Sequence, residues 1–190
     1  MADETRRRIV ESARRLFAEK GYFSTGTTEI VEAAGVGTRG ALYHHFENKQ
    51  ALFLTVFEAI ETDLATTLGQ KVSGETWYER LGQGLAAFLD AAVEEPEVRR
   101  ILLIDGPAVL GWAAWREVEG RFGLGAIRNM LDEGVKEGSL VVADADAMAH
   151  LLLSLVDEAA LFIAHADHPK QARRGAGASV DALLSGLAAP

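Results

Sequence analysis

Apolar residues recur at steps of three and four along almost the whole chain, and nowhere do they alternate with period two for long enough to build a sheet. That spacing stacks them on one face of successive α-helices and points to an all-α fold. From Glu4 to Lys20, the residues Ile9, Val10, Ala13, Leu16 and Phe17 form such a face, with Asp3 placed to cap the helix and Gly21 to stop it. A short second helix, capped by Thr25 or Thr27, turns Ile30, Val31 and Ala34 inward, and Gly35 and Gly37 break it. A third carries Leu42 and Phe46 inward at i and i+4. Asn48 is the expected cap of a longer fourth helix with Leu52, Phe53, Val56, Phe57, Ile60 and Leu64 as its stripe.

The segment "GQKVSGE" marks the boundary, giving a head over 1–48 that continues into a linking helix over 49–68, and a body over 75–190. The body reads as further helices. "WYERLGQGLAAFLDAAVEE" is stopped by Pro96, "EVRRILLIDG" by Pro107, "AVLGWAAWREVEGRF" follows, and Leu124 to Lys136 forms the next. The segment Asp144 to Ala166 is apolar on almost every side, "KQARRGAGAS" reads as a loop, and "SVDALLSGLA" closes the chain. Only "SLVVAD" has strand character, and it is too short to found a sheet.

No cysteine is present, which excludes disulfides and thiolate metal sites and suits a reducing cytoplasm. "MADETRRRIVESARRLF" has no uninterrupted apolar run and is not a secretory signal. No membrane span is expected either, because Asp146, His150, Asp157, Glu158 and His165 interrupt the most apolar segment. The net charge of −9 is unevenly placed. Residues 1–50 hold eight Lys/Arg against seven Asp/Glu, whereas the remainder holds eleven against twenty-one, so the two parts face different partners.

Three chemistries compete for "VGTRGALYHHFENK", residues 36–49: a metal site on His44 and His45, a phosphate-cradling glycine loop, and a helix that touches nucleic acid. Adjacent histidines on a helix point about 100° apart and do not converge on one ion. A phosphate loop needs a preceding strand and a Walker or Rossmann glycine pattern, and neither is present. A helix, a glycine turn and a second short helix on a first helix form a helix-turn-helix. Thr27 and Thr28 open helix two, where free N–H groups and hydroxyls can hold a phosphate. Arg39, Tyr43 and His44 face outward on helix three, Gly40 allows close backbone approach, and Lys49 begins helix four.

Residues 5 to about 60, "IVESARRLFAEKGYFSTGTTEIVEAAGV" and "RGALYHHFENKQALF" above all, resemble the DNA-binding domain of the TetR family of bacterial transcriptional regulators. One departure stands out: five residues, "GTRGA", separate Val36 from Leu42, one more than the family has. The resemblance implies backbone contacts from Thr27, Tyr43, His45 and Lys49, and a recognition helix that starts at Arg39 and Gly40. Base reading then falls to Thr38, Arg39 and His44. It also implies a homodimer on a palindromic double-stranded DNA operator and a body with a largely apolar small-molecule pocket. Candidate dimer residues are Ile127, Leu131 and Val135 on one helix and Leu152, Leu155, Val156, Ala159 and Ile163 on the other. Candidate pocket residues are Trp77, Phe88, Leu102, Trp112, Trp115, Phe122, Met130, His150 and Phe162, with Asp157 and Glu158 as polar handles. His150, Asp157, Glu158 and His165 share a broad helical stripe, but positions two turns apart stand about 10 Å apart, too far for one ion. A histidine paired with a carboxylate at the dimer seam fits them better. No catalytic constellation, metal or cofactor is expected. The expected function is a repressor released from its operator by a ligand; an activator, a repressor without inducer, and a helical carrier or enzyme are the alternatives.

Overall fold

The computed structural model describes residues 2–187, which form an all-α chain. Its elements are α1 (Ala2–Lys20), α2 (Thr27–Ala34), α3 (Arg39–His45), α4 (Lys49–Lys71), α5 (Trp77–Glu94), a π-helical segment (Val98–Asp105), α6 (Gly106–Leu110), α7 (Trp112–Glu137), α8 (Ala145–Ala164) and α9 (Pro169–Ser185). They divide into two compact units. One joins residues 1–61 to 96–115, and the other joins 62–95 to 116–190. The unit that holds the helix-turn-helix thus takes in a stretch that lies beyond the "GQKVSGE" boundary.

In the first unit, Ile9, Ala13, Phe17, Ile30, Leu42, Leu52, Phe53, Val56 and Phe57 are fully buried. Phe17 packs edge-on against Phe53 at 5.5 Å between ring centroids, and Tyr22 meets both rings. The cap of α4 is as expected, since Asn48 Oδ1 accepts the Ala51 N–H at 2.8 Å. The cap of α2 is Gly26, without a side-chain bond, rather than Thr25 or Thr27. Thr25 instead donates its hydroxyl to the Gly21 carbonyl at 2.8 Å, with the Leu16 carbonyl at 3.3 Å, which ties the turn after α1 back onto that helix. Asp3 lies inside the first turn of α1, since that helix already begins at Ala2.

In the second unit, α8 packs on α5 and α9, and α5 on α9. The capping box of Thr76 and Glu79 starts α5, and Asp144 caps α8. Three readings of the chain are corrected here. The helices expected to divide near Gly123 are one continuous α7, because Gly123 lets α7 press against Leu153 and Gly134 lets it press against the Trp77 ring. Packing of this kind outweighs the roughly 1 kcal/mol that each helical glycine costs. "KQARRGAGAS" is likewise helical, within α9: Pro169 starts it, Gly177 is buried, and Arg173 reaches Asp90 and the Ala86 carbonyl on α5. "EVRRILLIDG" is wound largely as a π-helix rather than an α-helix. "SLVVAD" supplies no strand; Leu140 alone forms an isolated bridge.

By length and apolar composition α8 could cross a membrane. Here its Ala149, Leu152, Leu153, Val156, Ala160 and Ile163 are buried, as in the core helix of a protein interior.

Candidate nucleic-acid interface

The helix-turn-helix is held from within and leaves one face open. Leu42 and Phe46 anchor α3 in the core, and Arg6 lies over the Phe46 ring at 5.1 Å. Gly35 ends α2 in the left-handed region at φ 60, donating to the Glu32 and Val31 carbonyls, and Arg8 clasps the Gly35 carbonyl at 3.1 Å. The turn of "GTRGA" is made by Gly37 at φ 85 and an extended Thr38. This turn delivers Arg39 as the first residue of α3.

The outcome is a row of exposed side chains. Thr38, Arg39, Gly40 and His44 are exposed, and Tyr43 keeps 49% of its surface. Thr28 is exposed and Thr27 half-buried at the start of α2, whose first N–H groups have no side-chain cap. Uncapped N–H groups at a helix start suit a phosphate oxygen. His45 is half-buried, its ring edge-on to His44 at 5.2 Å between centroids. Lys49 is also half-buried: its ammonium donates to the Tyr22 carbonyl at 2.5 Å and stands 3.9 Å from the Tyr22 ring centroid. Burial holds its pKa below the ordinary lysine value, partly opposed by Asp105.

Two family profiles cover most of the chain. Residues 9–56 match "Bacterial regulatory proteins, tetR family", and residues 78–187 match "Tetracyclin repressor-like, C-terminal domain". The chain belongs to the TetR family. A crystal structure of a TetR-family transcriptional regulator from Pectobacterium atrosepticum has a TM-score of 0.88 at 32% identity, covering 100% of this chain and 96% of that one. The HTH-type transcriptional regulator AcrR of Shigella flexneri is 48% identical over 63 residues, which is 33% of this chain and 29% of AcrR's own length. The transposon Tn10 TetC protein of Escherichia coli is 26% identical over 144 residues, 76% of this chain and 72% of TetC.

The body residues singled out for this TetR-family chain fall in both units. Leu102, Trp112 and Trp115 belong to the unit that holds the helix-turn-helix. Trp115 is fully buried there and donates its indole N–H to the Leu102 carbonyl at 3.1 Å, while Trp112 is 63% exposed and lies tilted against it at 5.0 Å between ring centroids. Trp77 is buried core, bonded to Ser139 Oγ at 2.8 Å. Phe88, Phe122 and Met130 are half-buried. On α8, His150, Glu158 and Phe162 are exposed, the last two because the 3.6-residue period puts them opposite the buried face, while Asp157 points inward. Among the described residues no histidine of α8 pairs with a carboxylate of its own chain. Among the described residues no three His, Asp or Glu side chains are grouped to hold a metal.

Of the proposed dimer residues, Ile127, Leu131, Leu152, Val156 and Ile163 are buried in their own chain, Leu155 and Ala159 are half-buried, and Val135 is exposed. On α8 and α9 the exposed large apolar residues are Leu151, Phe162 and Leu183. Their signal lay in the sequence: Leu151, Leu155, Glu158 and Phe162 repeat at four, three and four on a helix whose other face is also apolar.

Asp157 carries the clearest electrostatic signature of the body. Arg116 binds both its Oδ2 and Ser154 Oγ. Burial nevertheless pushes its carboxyl up to about 6, against the opposing pull of Arg116 and a hydrogen bond with Glu119. The native state therefore holds that proton more tightly than the unfolded chain does. Its contribution to stability is complete below about pH 4 and is lost as pH rises through 6. Asp157→Asn should abolish that loss, so that the variant gains on the parent by on the order of 3 kcal/mol between pH 4 and 7. Urea unfolding at four pH values checks this; parallel pH profiles for the two proteins would refute it.

Proposed function

We propose that this TetR-family chain is a homodimeric repressor that binds a palindromic operator through α2 and α3 and is released by a small molecule. The observation that carries the reading is the exposed row of Thr38, Arg39, Tyr43 and His44 on a short helix anchored by buried Leu42 and Phe46. Arg39 is the side chain suited to a guanine edge, with Thr38 and His44 beside it. Gly40 permits close approach of the backbone, Tyr43 and Thr28 offer hydroxyls to phosphates, and Thr27 with the uncapped start of α2 offers another. His45 and Lys49 are held against the protein, so their share is backbone contact near the end of α3 and the start of α4. One such helix spans few base pairs, and two heads about 34 to 36 Å apart would read two half-sites.

For the second copy we assign the outward faces of α8 and α9, with Leu151, Leu155 and Phe162 at the seam beside Leu183. An apolar effector is assigned to the body, where Phe88, Phe122 and Met130 retain surface and Asp157 supplies charge. To lift repression tenfold or more it must favour the released form by at least about 1.4 kcal/mol.

The test is selection of bound duplexes from a random pool. A palindrome with half-sites about one helical turn apart is expected, and no enrichment over competitor DNA would overturn the reading. On the recovered duplex Tyr43→Phe should weaken binding several-fold and evenly across sequence variants, whereas Arg39→Ala should cost about 1–3 kcal/mol and relax preference at one position per half-site.

A further inference from the structure

The turn from α1 to α2 places the start of α2, and its backbone is gripped from outside the helix-turn-helix. Gly21 leaves α1 in the left-handed region at φ 81, and Arg100 Nη2 lies 2.0 Å from where a Cβ would stand. The next backbone N–H, that of Tyr22, donates to Asp105 Oδ2 at 2.7 Å, and Arg100 Nε donates to the same oxygen at 3.3 Å. The Tyr22 carbonyl is taken by Lys49. Nearby, Arg14 forks onto Glu97 at 2.8 and 2.5 Å.

Two features single out Asp105. Its side chain is 4% exposed, and a carboxylate so buried is costly unless its hydrogen bonds are well made. An uncharged acceptor could serve one backbone N–H, but a charged one makes a shorter and stronger bond, which tolerates less displacement. The second feature is its carrier. On an α-helix, residues 100 and 105 would point about 140° apart. The wider winding of a π-helix, a form frequent at functional positions, brings i and i+5 toward one face. Val98–Asp105 is wound that way, and Arg100 and Asp105 both reach the same turn.

We propose that Asp105 is a positioning residue for DNA binding: it locks the Tyr22 amide and so sets where the start of α2, with Thr27 and Thr28, meets the phosphate backbone. This rests on the reading of α2 and α3 as the DNA interface. The segment 96–115 thereby gains a lever on the head, since any shift of Asp105 moves the turn that leads into α2.

The experiment uses the duplex recovered by selection and the full chain. Asp105→Asn keeps the shape and an acceptor but removes the charge. Its Kd per active dimer, with the active fraction fixed by stoichiometric titration, should rise about tenfold, the value of one charge-assisted hydrogen bond. Merely reduced folding would lower the active fraction and leave that Kd alone. Thr27→Val should weaken binding by itself, and the double variant should lose less than the product of the two single losses, because both act through the start of α2. Arg100→Gln, at a guanidinium that is 41% exposed, gives a milder loss of about threefold and decides the matter if Asp105→Asn does not fold. A parent protein that enriches no duplex would end the DNA reading itself. A parent that binds, with both variants equal to it or with losses that multiply fully with Thr27→Val, would overturn the role of Asp105 alone.

Discussion

Replacing Leu151 and Phe162 together by glutamate should turn the protein from a dimer into a monomer and lower its affinity for a palindromic duplex roughly a thousandfold. The two side chains are 65% and 59% exposed and lie eleven residues apart, three turns of α8, so they sit on one stripe. That stripe faces away from Leu152, Val156, Ala160 and Ile163, which form the buried face of the same helix. Burying a leucine and a phenylalanine at a seam stabilises it by about 1.5–3 kcal/mol each in every copy. Two glutamates per copy would reverse that and place like charges opposite one another. Because neither residue supports its own chain's core, helical content should be unchanged. The effect on DNA follows from linkage. A second head tethered at an effective concentration of about 1 mM strengthens a half-site that alone binds near 1 μM by about a thousandfold. Sedimentation velocity and gel shifts on one and two half-sites check both parts. A dimer that persists in the variant, or a monomer that still holds the palindrome as tightly, would remove α8 from the interface.

Trp115→Ala should cost about 3–5 kcal/mol and lower the midpoint of thermal unfolding by roughly 10 °C or more in a chain of this size. The indole is fully buried, its N–H satisfies the Leu102 carbonyl, and Gly106 is left without a side chain where one would strike the rings of Phe57 and Trp115. Truncation would leave a large void and an unpaired carbonyl in the unit that carries the helix-turn-helix. Trp112→Ala, only three residues away, removes a ring that is 63% exposed and should change stability by no more than about 0.5 kcal/mol. Calorimetry on the two variants separates them. Equal losses would mean that Trp112 is covered by something other than solvent, and no loss at Trp115 would contradict its place in the core.

The helix-turn-helix was largely legible because its signals are local. Apolar spacing in α1 and α4, the Asn48 cap and the glycines after α2 each act within a few residues, and a motif of that kind survives whatever surrounds it. Leu42 and Phe46 were assignable inward for the same reason, and the exposed row from Thr38 to His44 follows from their anchoring. The body was read less well wherever two helices decide a residue's fate together. Gly123 looks like a break until Leu153 is seen against it, and the glycines of α9 look like a loop until Arg173 reaches α5.

The apolar residues of α8 show the same division. Their all-round pattern announces a helix with two covered faces, but which face its own chain covers depends on where α5 and α9 lie. Leu152, Val156 and Ile163 went to the core and Leu151 and Phe162 to the outside, which spacing alone leaves undetermined because both sets repeat with the same period. Asp105 lies furthest from any local signal. Periodicity, capping and turn chemistry, which act over a few residues, were written into the chain and were enough for an all-α fold, a helix-turn-helix and the family to which it belongs. The partner of Tyr22's amide comes from 83 residues away, and the winding that aims Asp105 at it exists only once Val98–Asp105 has packed against α1, so that contact was decided by the tertiary structure.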